Sequence, residues 1–185
     1  MASAEPVPAG VSVAAVSATL GVSLLQKVLE IVAKRKSFAG DPGELSSLHQ
    51  AARNESERLA RCAEEDIAAY RAYMAARRLK TGDAEAARSL RAVIETPLQA
   101  ARSALSGLEL CAAAAGMVEG AVASDLGTAA ILLAGAVRAL LLSVDVNLRQ
   151  LPDREVMAEC REIEAQALRQ LDSVLRQVTI AAGLA

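Results

Sequence analysis

The sequence predicts an all-α fold: a single-domain bundle of about five long, mostly antiparallel helices. Apolar residues make up 53% of the 185 positions, and only three side chains are aromatic. Runs in which Val, Ile or Thr alternate with polar residues, the pattern of half-buried strands, are absent. Apolar residues instead recur at spacings of three and four, which is typical of helices with one buried side. A chain of this length buries roughly 70% of its unfolded surface, so it needs no metal or disulfide to fold.

The first half of the chain predicts two helices after an extended lead-in over residues 1–11. The first helix is expected over residues 12–36, with Ser12 as its N-cap, because a serine hydroxyl can accept from the free N–H groups of the first turn. The second helix is expected over residues 44–78. Asp41 precedes a proline there, which is a common way to begin a helix.

The second half predicts three more helices. The third helix is expected over residues 84–115, and Pro97 should kink or split it because proline lacks the N–H group that a helix uses. Residues 111–123 are expected to form a loop that leads to a central helix over residues 124–148. Asp153 is expected to cap the last helix.

The central helix has no charged residue between Asp125 and Arg138. A helix that is apolar all round is expected to be buried on every side. Its uncharged run is shorter than the ~20 residues that span a bilayer, so we expect no membrane partner. Arg138 would be costly to bury alone, and Asp145, seven residues on, is its expected ion-pair partner.

Composition excludes several classes of function. The 20 basic and 22 acidic residues nearly cancel, which gives no reason to expect a nucleic-acid partner. A single histidine excludes a His-rich metal site, and the three widely spaced cysteines indicate small core residues in a reducing compartment. The uncharged N-terminal stretch lacks the basic start of a signal peptide, so a cytoplasmic location is expected.

Four segments, in order along the chain, resemble one family. They are Pro8-Ala9-Gly10-Val11-Ser12 through Leu20-Gly21, Glu65-Asp66 through Tyr70 and Met74, Thr96-Pro97-Leu98, and Ser124-Asp125-Leu126-Gly127 followed by Arg138 and Val144-Asp145-Val146-Asn147-Leu148-Arg149. Together they are similar to the cyclodeaminase/cyclohydrolase family. That family comprises the cyclodeaminase domain of formiminotransferase-cyclodeaminase and the bacterial methenyltetrahydrofolate cyclohydrolases.

The resemblance implies a folate-dependent one-carbon enzyme of the cyclohydrolase or cyclodeaminase type, with a tetrahydrofolate derivative as its substrate and no tightly bound cofactor. It implies a homodimer with the ligand cleft near the subunit interface. Asp125 would be the catalytic acid/base and would stabilise the substrate cation. The implied substrate-binding residues are Ser124, Gly10, Ser12, Lys36, Asp66 and Tyr70.

Four of these residues also have a purely structural interpretation. Asp125 can cap a helix, Lys36 can complement the negative end of a helix, and Asp66 with Tyr70 can form an exposed pair one turn apart. The family's glycine triplet is replaced here by Ala9-Gly10-Val11, and its Gly-Asn-x-Asn by Val118-Glu119-Gly120-Ala121.

Two alternative functions therefore stay open. One is a catalytically inactive homologue that acts as a dimeric helical interaction protein. The other is a relative that acts on a different small C–N substrate.

Overall fold

The computed structural model describes residues 9–36, 38–79 and 83–184, and within these ranges it confirms the all-α prediction. There are five long helices and no strand in this part of the chain; a short 3₁₀ turn follows the third helix. Residues 80–82 and the first eight residues of the lead-in lie outside the described ranges. The helices are α1 (Gly10–Ala33), α2 (Pro42–Leu79), α3 (Asp83–Ala114), α4 (Ala121–Leu148) and α5 (Arg154–Ala181).

Helix α4 is the centre of the bundle and packs against α1, α3 and α5. Small residues allow a close contact with α1. A Cβ atom added at Gly21 would lie 3.0 Å from the Leu133 Cγ atom and 3.1 Å from the Ala129 carbonyl oxygen. The two helices therefore approach at backbone distance, which a larger side chain would prevent.

The prediction that the central helix is buried on every side was wrong. One side of α4 lies at the surface, where Ile131 is 53% exposed and Leu142 is 65% exposed, and Leu20 of the neighbouring α1 is 60% exposed. These residues belong to one apolar surface that no other element of the described chain covers. We call it the α1/α4 face; it contains Val13, Val16, Leu20, Ile131, Leu132, Leu142 and Val146.

Helices α1 and α4 are also long and apolar enough to cross a membrane. They have 24 and 28 residues, with mean hydropathies of 1.5 and 2.0 over the most apolar window. The uncharged run of α4 was predicted to be too short to span a bilayer, but the whole helix that contains this run is long enough. Half of each window is buried inside the bundle, as in the core helices of proteins that never enter a membrane, so length and composition are weak support for a span.

Helix α1 begins two residues earlier than predicted, so Gly10 and Val11 are helical and not part of an extended lead-in. Ala9 is the N-cap, and no side chain caps the helix. Ser12 is wrong as a cap because its hydroxyl bonds to another helix. The helix ends at Ala33, before the expected residue 36.

The predicted loop over residues 111–123 is shorter than expected. Helix α3 continues to Ala114, and α4 already begins at Ala121. The backbone reverses at Gly120, whose φ of 63° favours a residue without a Cβ atom. Asp125 therefore lies inside α4 and does not cap it.

Two aspartates begin helices as predicted. Asp153 Oδ1 accepts from the backbone N–H groups of Glu155 and Val156 at 3.0 and 3.2 Å. Asp41 Oδ1 accepts from the Gly43 N–H group at 2.8 Å. Each carboxylate satisfies donors that a helix leaves free at its first turn.

The predicted partner of Arg138 was wrong. Arg138 Nε lies 3.2 Å from Glu164 Oε1 on α5, so the arginine is exposed and paired between helices. All three cysteines are free and buried, as predicted. Burial raises the pKa of the Cys111 thiol to about 12, which keeps it protonated and unreactive at neutral pH.

Candidate functional site

A cleft of about 350 Å³ opens at one end of the bundle, where four helices meet. The N-terminal end of α1, the C-terminal third of α2, the N-terminal third of α3 and the C-terminal part of α4 form its walls. The lining residues are Ala9, Gly10, Val11, Asp66, Tyr70, Tyr73, Val93, Leu142, Ser143, Val146 and Asn147. Most of the wall is apolar, with a few polar groups, as in many small-molecule sites.

Asp66 is the most unusual polar group in this cleft. Only 8% of its surface is exposed, and the Ser12 hydroxyl donates to its Oδ2 atom at 2.9 Å. Burial raises the pKa of the Asp66 carboxyl, and the Ser12 hydrogen bond opposes that shift by a smaller amount. A carboxyl whose pKa is raised toward neutrality is suited to taking up and releasing protons.

Two tyrosines follow Asp66 on the same side of α2. Tyr70 is one turn further on and lines the cleft. Tyr73 also lines it and was missed, although its spacing of seven residues from Asp66 places it on the same helix face. The Tyr73 hydroxyl donates to Gln150 Oε1 at 2.6 Å, and the Arg77 guanidinium lies 5.7 Å from the centre of its ring.

Asn147 connects two helices at the wall of the cleft. Its side-chain amide donates to the Val93 carbonyl oxygen at 2.9 Å. Both residues line the cleft. The bond ties the end of α4 to α3 within the wall that a ligand would contact.

The remaining predicted site residues lie at the other end of the bundle. Asp125 Oδ2 is 2.9 Å from Lys27 Nζ, and its side chain is 36% exposed. The Ser124 hydroxyl donates to the Ala121 carbonyl oxygen at 2.7 Å, and Lys36 is exposed beyond the end of α1.

Helix α1 shows how far the cleft lies from Asp125. Ser12 of α1 bonds to Asp66 in the cleft, and Lys27 of the same helix pairs with Asp125. Ser12 and Lys27 are fifteen residues apart, which corresponds to roughly 22 Å along a helix. One chain thus brings together Gly10, Ser12, Asp66 and Tyr70 and leaves Asp125, Ser124 and Lys36 far from them. Across residues 9–36, 38–79 and 83–184, no three His, Cys, Asp or Glu side chains converge as metal ligands.

Comparison with known proteins identifies the family. A family model described as formiminotransferase-cyclodeaminase matches residues 1–166. The chain belongs to the formiminotransferase-cyclodeaminase family. The fold agrees with that of a crystal structure of formiminotetrahydrofolate cyclodeaminase from Thermotoga maritima, with a TM-score of 0.84 at 20% sequence identity over 98% of this chain and 91% of that chain. A comparison with curated protein sequences finds no match.

The altered glycine segment of this cyclodeaminase-family chain lies directly at the cleft. Gly10 is in the first turn of α1, and a Cβ atom added to it would meet no atom within 4 Å. Within one chain, packing alone therefore does not require glycine at this position. Loss of the other two glycines of the family triplet is compatible with a helix that begins at the cleft wall.

The raised pKa of Asp66 predicts how its effect on folding stability depends on pH. Because the folded state holds this proton more tightly than the unfolded state, the carboxyl favours folding below its unfolded pKa, about 3.9, and this contribution is lost as pH rises through the folded pKa. Asp66→Asn removes that titration, so its free energy of unfolding relative to wild type should increase with pH above about 4 and then level off. Urea unfolding of both proteins from about pH 3.5 to about pH 8 measures this difference. A difference independent of pH would contradict the raised pKa.

Proposed function

We propose that this chain is a folate-dependent one-carbon enzyme of the methenyltetrahydrofolate cyclohydrolase or formiminotetrahydrofolate cyclodeaminase type. One observation carries the proposal: a buried carboxyl with a raised pKa, Asp66, lines a mostly apolar cleft in a chain of this family. The Thermotoga maritima protein that shares the fold is a formiminotetrahydrofolate cyclodeaminase, which supports the same class of reaction here. The ligand is a tetrahydrofolate derivative acting as substrate, with no tightly bound cofactor, and the expected location is the cytoplasm.

The chemistry needs one group that moves a proton next to a cation. In the hydrolysis, water adds to the methenyl carbon between N5 and N10, and a carboxylate takes one proton of that water. This proton passes to the nitrogen that departs as the C–N bond breaks, and the remaining O–H proton is lost to solvent as the formyl C=O bond forms. In the cyclodeaminase reaction, N10 attacks the carbon of the protonated formimino group and the carboxylate takes the N10 proton. The carboxyl then returns that proton to the formimino nitrogen, which leaves as ammonia. Asp66 in its carboxylate form fits the proton acceptor, and its anionic charge in an apolar cleft stabilises the delocalised cation.

Asp125 has a proposed role only if two chains associate. The α1/α4 face is apolar, and its residues Leu142 and Val146 also line the cleft, so the surface is continuous with the site. We take its occupant to be a second copy of this chain, which gives a homodimer. Burying each exposed leucine or isoleucine of this face favours association by roughly 1.5–3 kcal/mol.

Two-fold symmetry then suggests how the two ends of the bundle meet. In an antiparallel pairing of α4 with its copy, a two-fold axis near Gly135 relates positions equally far on either side of it. Asp125 lies ten residues before Gly135, and Val146 of the cleft lies eleven residues after it. Asp125 and Lys27 of one subunit would thereby approach the cleft of the other, where Asp125 would face the substrate cation.

Subunit complementation tests this shared site. Asp66→Asn and Asp125→Asn should each abolish most turnover, and Asp125→Asn should change the free energy of unfolding by no more than about 1 kcal/mol, because its ion pair with Lys27 is partly exposed. If the two carboxylates act from different subunits, a mixed dimer has one intact site and one doubly altered site. An exchanged equimolar mixture should then regain about a quarter of wild-type activity. A mixture as inactive as its components would contradict a site built from two subunits.

The exposed α1/α4 face also supports a second candidate function, a catalytically inactive homologue that acts as a dimeric interaction protein. A large uncovered apolar surface serves such a role without chemistry. This candidate predicts association without turnover, and the complementation assay distinguishes the two because only the enzyme has activity to restore. A relative that acts on another small C–N substrate would keep the carboxylate dependence but not the folate dependence.

A further inference from the structure

Pro97 leaves one backbone carbonyl of α3 without its helical partner. The helix runs through Pro97 as a single element, so the predicted split does not occur. In an α-helix the carbonyl of residue 93 accepts from the N–H group of residue 97, and proline has none. Val93 is 6% exposed, so its carbonyl cannot rely on bulk water and needs another donor.

Asn147 supplies that donor from α4, at 2.9 Å. A carbonyl oxygen can only accept, so the amide nitrogen of Asn147 must face Val93, and the orientation of the side chain is fixed by chemistry. The other polar atom, Oδ1, has no hydrogen-bond donor among the residues that the structure describes, and it belongs to a side chain that lines the cleft. It is therefore a free acceptor whose orientation the Val93 carbonyl determines.

We infer that Pro97 and Asn147 act as a pair that presents Asn147 Oδ1 to the ligand as a hydrogen-bond acceptor for an N–H group. Pro97 is a positioning residue, and Asn147 of α4 determines specificity in the same cleft that Asp66 of α2 lines. The ligand is a molecule whose cation or ring carries an N–H donor, as a formimino or pterin group does. The inference rests on the proposed function for the identity of that molecule but not for the existence of the acceptor.

A purely structural role for Asn147 gives different results in a double-mutant cycle. Asn147→Leu leaves the Val93 carbonyl unpartnered and should lower the melting temperature. Pro97→Ala restores the missing helical N–H group, so the double variant Pro97→Ala/Asn147→Leu should recover the melting temperature. If Asn147 only satisfied that carbonyl, the double variant would also recover ligand binding.

The inference predicts that stability is recovered and binding is not. With 5-formyltetrahydrofolate as the probe, Asn147→Leu and the double variant should both bind about tenfold more weakly than wild type. Pro97→Ala alone should bind roughly three- to tenfold more weakly without a lower melting temperature, because the Asn147 side chain is released from the Val93 carbonyl. Wild-type affinity in the double variant or in Pro97→Ala would overturn the inference.

A second probe separates this inference from the proposed function. Formamidinium carries N–H donors but no pterin, and its binding can be followed through the side-chain amide resonances of Asn147. If the wild type does not bind 5-formyltetrahydrofolate but formamidinium shifts the Asn147 signals, the folate assignment is rejected and the role of Asn147 Oδ1 as an acceptor is supported. Absence of any shift with both probes would overturn the inference itself.

Discussion

Replacing Asp66 by asparagine should reduce kcat about 10²- to 10⁴-fold, the usual contribution of a positioned acid or base. Asparagine keeps the shape of the side chain, and its carbonyl oxygen can still accept from the Ser12 hydroxyl 2.9 Å away. What it loses is the ability to take up a proton and to carry a negative charge beside the substrate cation. Turnover of methenyltetrahydrofolate, followed by absorbance, measures the loss.

Asp172→Asn is the matched control because Asp172 is an exposed aspartate on α5 that does not line the cleft. Its activity should stay within about twofold of wild type. Thermal melting of both variants checks that each is folded. Full activity in Asp66→Asn would remove Asp66 from the chemistry and leave Asp125 as the principal candidate.

Placing a charge on the α1/α4 face should convert the proposed homodimer to monomers and remove most activity. Leu20→Glu and Ile131→Glu put a carboxylate at two of its most exposed apolar positions, where dimerisation would bury it. Each subunit should stay folded, because both positions face solvent in the single chain. Sedimentation velocity gives the mass, and turnover measured on the same samples gives the activity.

Ile180→Glu is the control for this experiment. Ile180 is 69% exposed near the end of α5 and lies outside the α1/α4 face, so the variant should remain dimeric and active. For the wild type, the melting temperature should rise with protein concentration if folding and association are linked. A wild type that sediments as a monomer at all concentrations would contradict the dimer and the two-subunit site together.

The fold could be predicted from the sequence because it depends on local signals. Helix number and order follow from apolar periodicity, and the starts at Asp41 and Asp153 follow from capping chemistry that acts over two or three residues. The prediction was wrong where a side chain that could cap its own helix instead bonds to a residue distant in sequence. Ser12 looks like a cap, but its partner is 54 residues away in sequence.

The candidate site could be predicted only in part for the same reason. Asp66 and Tyr70 share a helix face, so their spacing places them together, and the same rule applied to Tyr73 would have found it. Asp125 pairs with Lys27, which is 98 residues earlier, and no periodicity shows which end of the bundle that pair occupies. The sequence also did not reveal the exposed side of α4, because an apolar helix side has the same composition whether or not another element of the chain covers it.

The most direct test of the central claim is to offer the wild-type protein both candidate substrates in one experiment. Absorbance would follow hydrolysis of methenyltetrahydrofolate, and ammonia release would follow deamination of formiminotetrahydrofolate, with thermal shift on the same samples to detect binding. A ligand at about a hundred times its dissociation constant stabilises a protein by about 2.7 kcal/mol. The folate-enzyme proposal predicts stabilisation by at least one compound together with its turnover; no stabilisation and no turnover with either compound would contradict it.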